Sequence, residues 1–299
     1  MALLIITTIL WAFSFSLIGE YLAGSVDSYF SVLMRVGLAA LVFLPFLRTR
    51  GQSPRTIVLY MLVGAMQLGI MYLLAFRAYI YLTVSEFLLF TVFTPLYITL
   101  IYDLLSGRKL RWGYLLSAAL AVLGAAIIRY DKVSDHFWTG LLLVQLSNLC
   151  FAIGMVGYKR LMEVRPMPQH NAFAWFYVGA FIVAGAAWFM LGNAQKLPTT
   201  TLQWSVLVWL GVVASGLGYF MWNYGATQVD AGTLGIMNNV HVPAGLLVNL
   251  AIWQEQPHWP SFISGALVIL ASLWVHRRWV APHSGQTADD RRRGSAQSE

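Results

Sequence analysis

Charged residues are scarce in this chain of 299 residues. Lys and Arg together number 19 and Asp and Glu 12, which is 10% of the chain, against about 25% in an average soluble domain. Apolar residues make up 59%, and the mean hydropathy is +0.67. So few charges cannot provide a folded chain of this size with a water-compatible surface. We therefore predict an integral membrane protein whose main surroundings are the lipid bilayer.

Cysteine and catalytic motifs are also scarce. Cys150 is the single cysteine in the sequence, so no internal disulfide is expected. The six histidines are dispersed, and no H-E-x-x-H, G-x-S-x-G or Walker sequence occurs. We therefore expect no metal site, no cofactor, no enzymatic activity and no ATP hydrolysis by this chain.

Ten apolar segments run along the chain, separated by short polar links. A helix needs about 20 mostly apolar residues to cross the hydrocarbon layer, so the sequence predicts an all-α membrane protein with ten transmembrane helices. The predicted helices are 3–19, 29–47, 57–75, 78–101, 112–128, 137–158, 172–191, 203–223, 232–253 and 260–279.

Basic residues are distributed unequally between the two sides of these helices. Of the 19, 14 lie on the side of the N-terminus, four lie on the opposite side, and Arg35 lies within a helix. The positive-inside rule then places both termini in the cytoplasm. Because the net charge of +7 comes from these links and the tail, we predict no binding of nucleic acid.

The chain contains an internal repeat. Pro95 and Pro243 lie within the fourth and ninth predicted helices, 148 residues apart, and the same offset relates Ala78 to Ala226. Each unit holds five helices, an odd number, so the second must be inverted in the membrane relative to the first. We predict a first repeat over residues 1–135, an inverted second repeat over 136–280, and a disordered cytoplasmic tail over 281–299.

Several of these features together resemble the EamA-type proteins of the drug/metabolite transporter superfamily. They are the Trp11-Ala12-Phe13-Ser14 opening, Arg35 early in the second helix, the Pro95 and Pro243 helices, and Glu255 followed by Gly265-Ala266-Leu267. The first repeat departs from the family pattern, with Gly107 in the place of the acidic residue that Glu255 supplies. The resemblance implies a secondary transporter with a substrate site between its two halves.

Residues 154–160 and 235–239 and the Asp289–Arg293 part of the tail resemble the biotin-carrying branch of this superfamily. That resemblance implies import of biotin through the bacterial inner membrane by alternating access. Export of amino acids or related metabolites, as in other members, is the alternative. A membrane scaffold or an intramembrane enzyme would belong to a different class.

Two ionisable residues lie inside predicted helices, where a charge costs at least about 2.5 kcal/mol. Arg35 lies about six residues into the second helix, and Glu86 about eight residues into the fourth. They form either a structural ion pair or two functional groups, with Arg35 binding a substrate carboxylate and Glu86 carrying a proton. Both alternatives remain open on the sequence alone.

Further candidate substrate-binding residues are polar or aromatic groups in mid-helix. His241, two residues before Pro243, could donate to an anion. Amide groups could bind the neutral ureido ring of biotin, and aromatic rings could wall an apolar cavity, although helix contacts and ordinary packing explain such residues equally well. The remaining candidates are Asn238, Asn239, Asn223, Trp11, Tyr97, Tyr219 and Trp222.

Overall fold

The computed structural model describes residues 2–105, 135–229 and 244–254, and also 120, 123, 237, 238, 240, 259, 260, 263, 264, 267, 268, 270, 271 and 274. Across these residues the regular structure is helical and no strand occurs. Seven helices in this part of the chain are long and apolar enough to cross a bilayer. The greater part of the fifth and tenth predicted helices lies outside the described residues, as does most of the first half of the ninth.

Nine helices, which we number in chain order, are described. Six of the predicted segments, the first three and the sixth to eighth, correspond to single helices whose ends differ from prediction by a few residues. The helices are α1 Ala2–Tyr21, α2 Ser28–Phe43, α3 Pro54–Ala78, α4 Val84–Phe90, α5 Thr94–Leu105, α6 Asp135–Val164, α7 Gln169–Leu191, α8 Thr201–Ala226 and α9 Ala244–Trp253.

The predicted helix over 78–101 begins too early, because a capping box starts α4 at Val84. The Thr83 hydroxyl accepts a hydrogen bond from the Glu86 backbone N–H at 3.3 Å, and the Glu86 carboxylate accepts one from the Thr83 N–H at 2.9 Å. This arrangement satisfies two backbone donors at the start of the helix. Glu86 is thus the third residue of its helix instead of lying eight residues inside one.

Pro95 coincides with a break between α4 and α5. A short 3-10 turn precedes α5, and proline has no N–H with which to continue the helical hydrogen bonds. Side chains bind the carbonyls at this break. The Thr94 hydroxyl donates to the Thr91 carbonyl at 2.7 Å, and Asn148 Nδ2 donates to the Phe90 carbonyl at 2.9 Å. The break therefore has polar partners inside the protein, as a discontinuous membrane helix requires.

The third helix of each predicted repeat contains a π-helical segment. In α3 it covers Ala65–Ile70, and in α8 it covers Leu210–Leu217. A π segment widens the helix locally and leaves some carbonyls without their usual partner, a geometry often found at functional sites.

The described helices pack in matched pairs. The π segment of α8 packs against α2, while the π segment of α3 packs against α7. Likewise α1 packs on the last part of α8 and α6 on the last part of α3. The hydroxyl of Thr7 on α1 donates to the Gly218 carbonyl at 3.3 Å, and that of Ser147 on α6 donates to the Met71 carbonyl at 3.1 Å. The contacts of α1 and α2 with α8 thus have counterparts in the contacts of α6 and α7 with α3.

Glycines allow backbones to touch where α3 crosses α7. A Cβ added at Gly64 would overlap the Phe176 backbone, and one added at Gly179 would overlap the Met61 backbone. Close approach through small residues is a common way of packing helices in lipid, where dispersion replaces the hydrophobic driving force. The α3–α7 crossing therefore depends on the absence of side chains at these two positions.

We predict that Gly179→Ala destabilises the fold by about 1–3 kcal/mol, the usual cost of overpacking. Gly185→Ala, on the same helix, is the matched control, because its added Cβ would have only Leu33 Cδ1 nearby, at 4.0 Å. The melting temperature of each detergent-purified variant measures the effect. Equal melting temperatures for the two variants would contradict the proposed backbone contact.

Candidate functional site

The side chain of Arg35 on α2 is buried at the centre of the described helices, with 3% of its surface exposed. Its Nε donates to the hydroxyl of Ser215, in the π segment of α8, at 2.5 Å. Its guanidinium carbon lies 4.2 Å from the centre of the Tyr72 ring and 5.9 Å from that of Phe76. Aromatic faces thus provide part of the stabilisation that water would give to the cation.

No carboxylate contact of Arg35 occurs among the described residues. The two terminal nitrogens of its guanidinium likewise make no hydrogen bond within this part of the chain. The predicted alternative of an Arg35–Glu86 ion pair is not seen in these contacts, in which the Glu86 carboxylate caps α4. A buried cation costs several kcal/mol unless it is paired, and a guanidinium fork matches a carboxylate well. Arg35 is therefore suited to binding an anionic ligand.

Arg35 lines a cavity between α1, α2, α3, α4, α6 and α8, which we call the Arg35 cavity. Its volume is about 80 Å³, well below the roughly 300–1,000 Å³ of typical ligand pockets, so its walls must separate to admit a small molecule. The cavity is lined by Trp11, Ser14, Phe15, Ile18, Arg35, Met71, Tyr72, Ala75, Phe76, Tyr79, Phe87, Thr91, Thr94, Ser147, Asn148, Phe151, Tyr219 and Asn238.

Two of the predicted aromatic residues, Trp11 and Tyr219, form one wall of the Arg35 cavity. Their ring centres are 4.6 Å apart. The indole N–H of Trp11 donates to the Ala214 carbonyl at 3.0 Å, which fixes the ring against the π segment of α8. Trp222 is fully buried and does not line the cavity, but its ring centre lies 5.0 Å from that of Trp11. Its indole N–H contacts the sulfur of Met155. Trp222 thus supports the wall from behind.

Two other predicted residues make contacts between helices. Asn223 and Gln67 are both fully buried, and their amides exchange two hydrogen bonds of 3.1 Å. The Tyr97 hydroxyl donates to Gln145 Oε1 at 3.1 Å. Neither Asn223 nor Tyr97 lines the Arg35 cavity. Their geometry fits a role in holding helices together.

Asn238 does line the Arg35 cavity. Its side chain is 2% exposed, and its Nδ2 has no hydrogen-bond partner in the described part of the protein. Asn239 and His241, the other predicted polar residues of this segment, lie outside the described residues. The structure thus brings together Arg35, Trp11, Tyr219 and Asn238 at one site.

Ser215 is the contact of Arg35 that the sequence did not predict. Its hydroxyl also lies 2.9 Å from the Tyr72 hydroxyl, so it joins α2, α3 and α8. A serine in an apolar helix carries no distinctive signal, because small hydroxyl residues are common there as packing elements. A second contact fixes the same segment: the Tyr177 hydroxyl on α7 donates to the Ser215 carbonyl at 2.5 Å and the Gly216 carbonyl at 3.1 Å.

Comparison with known proteins identifies relatives over most of the sequence. Residues 1–130 and 138–277 match the model of the EamA-like transporter family. The chain is 83% identical over 299 residues to a protein named biotin transporter from Escherichia coli (strain K12), covering all of both chains. It is 55% identical over 279 residues to a probable biotin transporter from Pseudomonas aeruginosa, covering 93% of this chain and 97% of that protein.

More distant similarity extends to an exporter and to a solved structure. The chain is 20% identical over 277 residues to a probable terminal-alkyne amino-acid exporter from Streptantibioticus cattleyicolor, covering 92% of each protein. A crystal structure that is 17% identical, with a TM-score of 0.65, covers 92% of this chain and 95% of the other. The latter likeness concerns the fold alone. The transporter relatives and the apolar helices together show a multi-pass membrane protein.

We predict that Arg35→Met leaves the melting temperature of the purified protein unchanged or raises it. The substitution removes a buried charge without a described carboxylate partner, and an apolar side chain of similar length can replace such a charge at little cost. Arg55→Met, at an exposed position, is the control for loss of a positive charge as such. A large loss of stability confined to the Arg35 variant would instead mean that Arg35 is mainly a structural element.

Proposed function

Because the chain belongs to the EamA-like transporter family, we propose that it is a secondary transporter that imports biotin across the bacterial inner membrane. The observation that carries this proposal is the 83% identity, over the full length of both chains, to a protein named biotin transporter. At that identity, the buried groups of a substrate site have had little opportunity to diverge in type. An enzymatic function has no support from the relatives, which are named transporters.

The Arg35 cavity fits the chemistry of biotin. Biotin pairs a carboxylate, ionised at neutral pH, with an aliphatic chain and a neutral ureido ring. The terminal nitrogens of Arg35 would bind the carboxylate, and the wall of Trp11 and Tyr219 would pack against the apolar part. Asn238, together with Asn239 and His241, would supply polar groups for the remainder.

We further propose ten transmembrane helices in two inverted repeats, 1–135 and 136–280, followed by the tail 281–299. Two successive family matches along the chain support this division. The matched packing pairs and the π segments of α3 and α8 also support it, because repeated units are expected to repeat their contacts. The distribution of basic residues supports cytoplasmic termini.

Alternating access would follow from such a pair of halves. Inverted repeats can exchange conformations, which opens a site between them to one side of the membrane and then to the other. The small volume of the Arg35 cavity supports a cycle in which the walls separate to load substrate. The α4–α5 break and the two π segments lie beside this cavity and offer places where helices can bend.

We predict that expression of this chain restores growth on scarce biotin to bacteria that need biotin and lack their own importer. Uptake of labelled biotin should exceed the empty-vector rate, and Arg35→Lys should lower the apparent affinity about tenfold, because lysine lacks the guanidinium fork. Arg55→Met should transport like the parent.

Uptake no faster than with empty vector, with membrane insertion verified, would refute biotin import. Counterflow of labelled amino acids in proteoliposomes would then test the export alternative, which is represented among the relatives at 20% identity.

Glu86 offers a separate test of proton coupling. Glutamine can occupy the same capping-box position as glutamate, so Glu86→Gln should preserve the start of α4 while removing the titratable group. If Glu86 carries the proton, the variant should fold normally and its biotin uptake should lose the parent's dependence on external pH. Uptake that follows the parent at every pH would rule out Glu86 as the group that carries the proton.

A further inference from the structure

Two buried polar atoms in the Arg35 cavity have no hydrogen-bond partner among the described residues. They are the hydroxyl of Tyr79, whose side chain is 6% exposed, and Nδ2 of Asn238. Leaving a buried polar group unsatisfied costs about 1–3 kcal/mol, so such groups call for an explanation. Other polar groups of the cavity are bonded: Ser14 donates to the Leu10 carbonyl and Ser147 to the Met71 carbonyl.

Tyr79 belongs to the end of the cavity that holds Arg35. It follows α3 one helical turn after Phe76, whose ring centre lies 5.9 Å from the Arg35 guanidinium carbon. Its ring stacks on Phe87 with the ring centres 4.2 Å apart and the planes 17° apart. Stacking fixes the ring and with it the position of the hydroxyl oxygen.

The direction of α9 relates Asn238 to the opposite end of the cavity. Two contacts show that α9 runs antiparallel to α4: Asn249 Nδ2 lies 3.4 Å from Ser85 Oγ, and a Cβ on Gly245 would lie 2.9 Å from Leu88 Cδ1. Because Asn238 precedes α9 in the chain, the direction of α9 points to a position for Asn238 on the Thr94 side of Leu88, and both Asn238 and Thr94 line the cavity.

The two ends are separated by a mainly apolar stretch. Phe87 on α4 and Thr94 on α5 lie on either side of the 3-10 turn Thr91–Phe93, and both line the cavity. Most of the other side chains that line the cavity, among them Trp11, Phe151 and Tyr219, are apolar or aromatic. The cavity thus combines a cation and a phenol at one end with an amide donor at the other.

Building on the proposed function, we propose that Tyr79 and Asn238 are specificity-determining donors that orient biotin in the cavity. The Tyr79 hydroxyl donates to the carboxylate that Arg35 binds, and Asn238 Nδ2 donates to the ureido carbonyl oxygen at the other end. A ligand without an acceptor at either position leaves a buried donor unpaired, and such unpaired groups are an effective way to reject an analogue.

Matched ligands and variants test each end separately. The probes are biotin, biotin amide, which lacks the carboxylate charge, and 2-thiobiotin, whose thiocarbonyl is a weak acceptor. Binding of each to the full-length protein in lipid nanodiscs is measured for the parent, Tyr79→Phe, Asn238→Ala and Asn238→Leu. Thr8→Ala is the control, because the Thr8 hydroxyl bonds its own helix at the Leu4 carbonyl and lies outside the cavity.

We expect each Asn238 variant to weaken the binding of biotin about tenfold, which corresponds to about 1.4 kcal/mol. The binding of 2-thiobiotin should weaken less than about twofold. Tyr79→Phe should weaken the binding of biotin by a similar factor and that of biotin amide clearly less, because a hydrogen bond to an uncharged amide oxygen is weaker than one to a carboxylate. Melting temperatures should not fall, since neither removed group has a described protein partner, and Asn238→Leu keeps the side-chain volume if the alanine variant is poorly folded.

The outcomes separate the two proposals. A parent protein that binds no biotin refutes the proposed function. A parent that binds biotin, with variants that bind all three ligands as the parent does or lose them equally, overturns the assignment of Tyr79 and Asn238.

Discussion

The burial of the Arg35 guanidinium is the constraint on which the centre of this protein depends. A cation inside an apolar bundle needs polar neighbours, and Ser215 and Tyr72 provide them from α8 and α3. Ser215 lies in a π segment whose carbonyls are bound by Trp11 from α1 and Tyr177 from α7. The groups that surround this one charge thus come from five helices, and the Arg35 cavity lies beside them.

Much of the helical structure could be predicted because membrane helices are defined by length and apolarity, which a sequence shows directly. Arg35 could be recognised as a candidate site residue for a related reason, since an ionisable group in hydrocarbon needs a compensating environment. The capping box of Thr83 and Glu86 also marks the start of α4 in the sequence. Because apolar residues continue on both sides of it, the apolar pattern alone does not show where the helix begins. Competing local signals of this kind limit the placement of helix ends.

Partner choice between distant helices could not be predicted. The apolar residues of α1 are spread over all faces of the helix, so their periodicity does not indicate which face meets a neighbour. The pairing of Gln67 with Asn223 across 156 residues, and of Arg35 with Ser215 across 180, depends on tertiary geometry. The π segments have no sequence signature that would have revealed them. Asn223 and Trp222 therefore looked equivalent to Asn238 and Trp11 in the sequence, and only the structure separates cavity residues from supporting ones.

The glycine crossing of α3 and α7 has a consequence for biogenesis. Gly64 is synthesised more than 100 residues before Phe176, whose backbone it touches. Throughout that interval the glycine face of α3 has no permanent partner, so α3 must remain in the bilayer against lipid or a temporary neighbour. Final assembly of the first half must then wait for α7 to leave the ribosome and insert.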